Sequence, residues 1–266
     1  QGLSGAVTSA VHYSAENSML VVGYENGLID IIDNNKLVDR IVAIALSEVS
    51  NEKKINKIYE HNNLLYLAMP FGIVTYDIGN KEFRDTFFIG PNSSALEVYD
   101  IIIHSTTIYA ATEAGIYTAS LDQNLNDFNN WTARFTGSFD NFKLLQGDLL
   151  CTKGRDVFKI VNDDTLEQKI SMSSTVVDLH SDGVSLIVGT SVNAKVFDVN
   201  YTETVRFTES DINSVLIHGA TVFLGTSSKG VLKSLLSKPS DFLEIHPKGP
   251  LSNNVFSISV KNNHVW

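Results

Sequence analysis

The stretch INKIYEHNNLLYLA, residues 55–68, is written into this chain several times, and its recurrence decides the fold. VYDIIIHSTTIYAA (98–111) and INSVLIHGATVFLG (212–225) align with it without a gap, and VVDLHSDGVSLIVG (176–189) fits the same frame. Apolar residues hold the first and fourth positions. A polar tip follows, Glu60-His61-Asn62-Asn63 in one copy and His104-Ser105-Thr106 in another, and then a β-branched and aromatic run begins. That order of chemistry predicts strand, hairpin, strand.

Beyond each frame comes a turn with glycine and a third strand: ENGLIDII, PFGIVTYD, EAGIYTAS and SKGVLKSL. Gly27, Gly72, Gly115 and Gly230 recur at this turn, where positive φ is expected of a tight connection. A more variable fourth segment closes each unit, as in FRDTFFIG and TVRFTES. Two copies need length changes. VTSAVHYSAENSMLVVG (7–23) carries three extra residues, and NFKLLQGDLLCTKG (141–154) reads as shorter and more polar. From Val7 to Val255 six repeats elapse, a mean period of about 41 residues, within the range of propeller blades.

A lone four-stranded sheet cannot bury its faces, whereas several packed radially can. An open β-solenoid is the rival architecture, but its coils are shorter and lack a hairpin at the centre of each repeat. The expectation is an all-β chain: a β-propeller of six four-stranded blades plus the first strands of a seventh. The approximate units are 3–52, 53–97, 98–139, 140–175, 176–211, 212–254 and a partial 255–266, all in one domain. Helical turns are expected only between repeats, in SEVSNEKK (47–54) and SLDQNLNDFNNW (120–131). LSNNVFSI near the end mirrors LSGAVTSA near the start, so the sequence begins and ends at one phase of the repeat and is expected to be a fragment of a longer protein.

Composition removes several functions. A formal charge of -10 is opposite to the basic footprint that nucleic-acid binding requires, and it also disfavours an anionic membrane surface. No apolar run is long enough to span a bilayer. The start at Gln1, with no basic-then-apolar leader, fits a signal peptide already removed. Cys151 is the only cysteine, and in the apolar context DLLCTK it reads as a buried, inert thiol.

No reactive cluster emerges. His61, His104 and His218 share the seventh position of the frame in three different blades, too far apart to hold one metal. His180 and His264 fall near the same hairpin, and all five read as polar hairpin residues. Asp122, Asn124 and Asn126 alternate like calcium ligands, yet the loop lacks its glycine and Ala133 stands where a bidentate glutamate belongs. Trp131, Phe87, Phe88 and Tyr201 read as residues that seal blade against blade. NSS, NWT and NYT match the N-glycosylation triplet at a frequency chance explains. No nucleophile elbow, zinc-binding helix, P-loop or dinucleotide fingerprint occurs. Catalytic residues, metal ligands and cofactors are therefore expected to be none, and no ligand-binding residue is assigned.

Two resemblances follow from these motifs. LSNNVFSISVKNNHVW, IYAATEAGIY and VFLGTSSKGVL resemble the repeats of two-component-regulator propellers, from which LLCTKGRDVF departs by lacking the usual glycine. VVGYENGLIDII, FGIVTYDIGNKEFRDTFFIGPN, VYDIIIHSTTIYAATEAGIY and NLNDFNNW resemble the PorZ N-terminal propeller family of the type IX secretion system, over about the first half of the chain.

The second resemblance implies a non-enzymatic surface scaffold in an attachment complex, with a sortase-like peptidase and an outer-membrane barrel carrier as partners. It implies export, an outer-membrane location, further domains, and a role in attaching cargo to lipopolysaccharide, which other domains would contact. It also makes Asp164-Thr165-Leu166 similar to an O-glycosylation site, although an ordinary turn explains it. The alternative function is an extracellular, glycan-sensing propeller of a hybrid two-component regulator. A propeller lyase or glycosidase would need paired carboxylates or a metal cluster at the central channel.

Overall fold

Six four-stranded antiparallel sheets follow one another along the chain in a computed structural model that describes residues 3–4, 6–33, 36–245, 260–261 and 264–265. They span residues 8–41, 57–87, 98–136, 142–171, 176–207 and 212–245, and each is a plain meander in which neighbours in sequence are neighbours in space. The all-β propeller of six four-stranded blades is thus observed. A seventh blade is not confirmed: residues 246–259 lie outside the described residues, and beyond them only Val260–Lys261 pairs with His264–Val265.

The innermost strands are Thr8–Ser14, Lys57–His61, Val98–His104, Phe142–Leu145, Val176–Ser181 and Ile212–His218. Their packing explains the odd spacing of the two apolar positions in the frame. Residues three apart cannot face the same side of a regular strand, whose period is two. In blades 1, 3, 5 and 6 the register shifts between the first and fourth positions, and this bulge turns both apolar side chains to the same side. Ile55, Val98, Val176 and Ile212 at the first position are buried, as are Ile58, Ile101, Leu179 and Val215 at the fourth.

The fourth blade corrects the reading of a shortened repeat. Phe142 pairs with Cys151 and Leu145 with Asp148, which matches Ile101 with Ala110 and His104 with Thr107 in blade 3. Its frame therefore runs without a gap from Phe139, a fully buried side chain in the first position, to Thr152. Phenylalanine in an aliphatic slot hid the register.

Five apolar clusters join the six blades. Each draws on two consecutive blades: Val21 with Leu67, Ile73 with Ile108, Ile116 with Cys151, Leu150 with Val188, and Ile187 with Leu224. Phe87 and Trp131 are buried in the cluster between blades 2 and 3, Phe88 packs against the first cluster, and Tyr201 packs against the cluster of blades 4 and 5. Among the described residues, no such cluster joins blade 6 to blade 1. Val7, Val11 and Tyr13 are exposed at the start of blade 1, and Leu216, Val231, Leu243 and Ile245 are exposed in blade 6.

The turns follow local chemistry with two corrections. Asn62 and Asn63 both adopt positive φ, 51° and 60°, the requirement of a two-residue type I′ hairpin. Gly27, Gly72 and Gly230 have positive φ as expected, but Gly115 does not; a Cβ there would lie 2.0 Å from the Phe135 carbonyl oxygen, so glycine permits close backbone approach instead. SEVSNEKK is not helical. The helical turn precedes it at Ala43–Leu46, and the second expected turn is a short 3-10 segment, Phe128–Asn130, capped by the Asp127 side chain.

Candidate functional site

With the fourth frame position turned into the blade, the third and fifth positions on the opposite face of each innermost strand point toward the propeller axis. Lys57, Asp100, Asp178 and Ser214 occupy the third position, and Val11, Tyr59, Ile102, Lys143, His180 and Leu216 the fifth. All line one central cavity of about 640 Å³. Ser9 and Asn141, also third-position residues, line an adjoining mouth of about 610 Å³.

Two aspartates work as fasteners between blades. Asp100 accepts the N–H of Ile101 on Oδ1 at 2.8 Å, and on Oδ2 the N–H of Phe142 in the next blade at 2.8 Å. Asp178 repeats the arrangement with Leu179 at 2.9 Å and Val215 at 2.9 Å. Each bulge leaves backbone donors off the sheet ladder, and a carboxylate beside the bulge satisfies two of them at once. Other blades are clasped differently. Glu60 accepts from Ser14 Oγ at 2.7 Å and bonds His12 Nε2 at 2.8 Å, while Asn56 Nδ2 donates to the Val98 carbonyl at 2.9 Å. Glu60, read from the sequence as part of a polar tip, thus ties blade 2 to blade 1.

The lysines are placed otherwise. Neither Lys57 nor Lys143 forms an ion pair among the described residues, yet each ammonium senses the same pair of aspartates. The Asp100 carboxylate raises the pKa of Lys57 above the ordinary lysine value, against burial and with help from Asp178. Burial lowers that of Lys143, and the neighbouring Lys57 charge lowers it further. His180 Nδ1 accepts the N–H of Ile217 at 3.3 Å, which leaves the neutral ring's proton on Nε2. Burial and then the Lys143 charge hold His180 below its usual pKa, so the ring stays neutral at physiological pH.

This arrangement assigns the residues that the sequence raised. His61, His104 and His218 each end an innermost strand, in blades 2, 3 and 6. His180 departs from the hairpin reading, because it lies two positions earlier in the frame and faces the cavity. The side chain of His264 lies outside the described residues. Among the described residues no three His, Cys, Asp or Glu side chains form a metal-binding group. In the calcium-like loop, Asn124 accepts the Asn126 N–H at 3.1 Å and Asn126 donates to Asp85 at 2.8 Å, so turn formation uses these groups. Cys151 is buried, and burial pushes its pKa up to about 12.

All four oxygens of the two axial carboxylates accept a backbone N–H group, so both carboxylates are engaged in fastening blade to blade. The chemistry of the channel is that of interblade fastening and of cationic donors. Neither aspartate nor lysine was assignable before folding, because odd and even positions look equally polar until the bulge is known.

Comparison with known proteins bears out the family resemblance. The model of the type IX secretion system PorZ N-terminal β-propeller domain matches residues 1–132. The structure of PorZ, a surface component of the type IX secretion system of Porphyromonas gingivalis, superposes with a TM-score of 0.78 at 19% identity, over 97% of this chain and 35% of that one. The chain thus spans about a third of that protein's length. The Pan2 WD40 domain of Neurospora crassa superposes with a TM-score of 0.67 at 11% identity, over 93% of this chain and 82% of that one. The Cps50 (Swd1) propeller of Myceliophteria thermophila gives 0.65 at 8% identity, over 90% and 84%. These likenesses show the propeller fold. No curated protein sequence matches the chain.

Proposed function

With the match of residues 1–132 to the PorZ N-terminal propeller as premise, we propose that this chain is a non-enzymatic scaffold of a type IX secretion system. It works at the cell surface, exported through a cleaved signal peptide and held at the outer membrane. There it helps a sortase-like peptidase and a barrel carrier attach secreted cargo to lipopolysaccharide, which other domains of the same protein contact.

The observation that carries the reading is the family match over the first three blades, with the fold likeness extending over 97% of the chain. A scaffold role is supported by the use made of the axial carboxylates, which fasten blade to blade instead of facing a substrate. Propellers suit this work because rigid blades present broad rims to several partners at once. Residues 255–266 are part of the proposal: they supply the first strands of a seventh blade, whose neighbours would be the exposed apolar side chains of blades 1 and 6.

The test is deletion of the gene in its host, followed by fractionation of secreted cargo. Cargo released into the medium instead of remaining surface-bound is the expected result, with restoration by the wild-type gene. Cargo attached normally in the deletion strain removes the proposal.

A further inference from the structure

We propose that the axial cavity is a binding site for a small oxyanion of the carboxylate or phosphate class, held between the ammonium groups of Lys57 and Lys143 with His180 as a third donor. The inference does not rest on the secretion reading.

Three features of the cavity carry it. First, Lys57, Lys143 and His180 come from blades 2, 4 and 5 and line the same cavity, which is about 640 Å³, ample for an ion of this class with several waters. Second, among the described residues these donors have no protein acceptor. The two aspartates that would neutralise the lysines have each oxygen engaged by a backbone N–H, and no lysine–carboxylate contact within ion-pair distance occurs here among the described residues. The two lysines border one cavity and the Lys57 charge lowers the Lys143 pKa, so the ammonium groups repel; an anion between them converts that repulsion into two charge-assisted hydrogen bonds. Third, the backbone hydrogen bond from Ile217 to His180 Nδ1 fixes the ring so that Nε2 is a donor, which suits an oxygen ligand and not a metal cation.

The Asp100 and Asp178 carboxylates line the same cavity, which favours a small ion reaching between the lysines over a polyanion, whose further charges would lie against the carboxylates.

The experiment is calorimetric titration of the purified wild-type protein, in chloride buffer of matched ionic strength, with inorganic phosphate and separately with malonate. Thermal unfolding is followed in parallel. Saturable binding is expected for at least one ion, with the midpoint rising by about 3 °C at ten times Kd. Lys57→Met and Lys143→Met should each weaken binding at least tenfold, while Lys238→Met, an exposed lysine away from the axis, leaves it unchanged. Binding of phosphate alone assigns a phosphoryl ligand, and binding of malonate alone a carboxylate one.

No saturable heat with either ion overturns the proposal, as does binding that survives both channel substitutions. If a methionine variant fails to fold, NMR of the wild-type lysine side chains decides. Two slow-exchanging ammonium signals that shift together on adding the ion support the site, and unchanged signals refute it.

Discussion

Replacing Asp100 by asparagine tests the interblade fastening most directly, because the change keeps shape and removes one acceptor. The carboxylate takes the Ile101 N–H on one oxygen and the Phe142 N–H on the other, both at 2.8 Å. An asparagine can accept only one of them. Its amide nitrogen then faces a buried backbone donor, so one charge-assisted hydrogen bond is lost, about 1.5–3 kcal/mol, and a donor is left unsatisfied at about 1–3 kcal/mol. Allowing for relaxation, the sum is about 3–4 kcal/mol. In a domain of this size, that lowers the unfolding midpoint by about 10 °C.

The assay is thermal and urea unfolding followed by circular dichroism and tryptophan fluorescence, on wild type, Asp100→Asn and Asp178→Asn. Asp178 makes the equivalent contacts with Leu179 and Val215, so the two losses should be similar. The double variant should lose about their sum, since different blade pairs are affected. A midpoint within 2 °C of wild type for both single variants would refute the fastening argument.

Four further outcomes follow from the structure. Gly115→Ala places a Cβ 2.0 Å from the Phe135 carbonyl oxygen and should destabilise by well over ~1 kcal/mol, whereas Gly79→Ala, with its nearest atom at 3.4 Å, should fall within about 0.5 kcal/mol of wild type in the same unfolding assay. Cys151 should not react with Ellman's reagent at pH 8 in the native protein, because the thiol is buried and its pKa is about 12; it should react fully in guanidinium chloride.

Asp30 accepts from Ser4 N and Oγ, Tyr24 OH and Arg40 Nε, and burial, which alone would raise its pKa, is outweighed by the Arg40, Tyr24 and Ser4 bonds that hold it below the ordinary value. A depressed folded-state pKa gives stability that is present above the unfolded value near ~4 and is lost as pH falls through the folded one. Asp30→Asn should therefore flatten the acid limb of the stability–pH curve, read from urea midpoints between pH 5 and 2. Finally, Val7→Asp and Leu243→Asp should each lower the urea midpoint, because the proposed seventh blade covers these side chains; an unchanged midpoint for both counts against that blade.

How much of this was legible beforehand can be judged residue by residue. The alternation of apolar and polar groups in INKIYEHNNLLYLA gave strand and hairpin. The recurrence of that frame gave blades, since only repeated packing can cover both faces of such small sheets. Position seven of the frame placed His61, His104 and His218 at strand ends, where they are found. Phe139 escaped notice because a frame defined by aliphatic residues does not anticipate an aromatic in the same buried slot. Gly115 was correctly placed at a turn but for the wrong reason, since the demand comes from a neighbouring strand and not from its own φ.

By itself, then, the sequence determined what is local and periodic: strands, their hairpins, the repeat and the family resemblance carried by its motifs. Only the tertiary structure decided which polar side chains meet. Lys57, Asp100, Lys143, Asp178 and His180 are spread over four repeats, and each looks like ordinary strand decoration in its own segment. Tertiary packing decides that the third and fifth positions face inward, and the radial arrangement of blades carries residues more than a hundred positions apart to one axis. Neither operation leaves a mark in the spacing of residues along the chain.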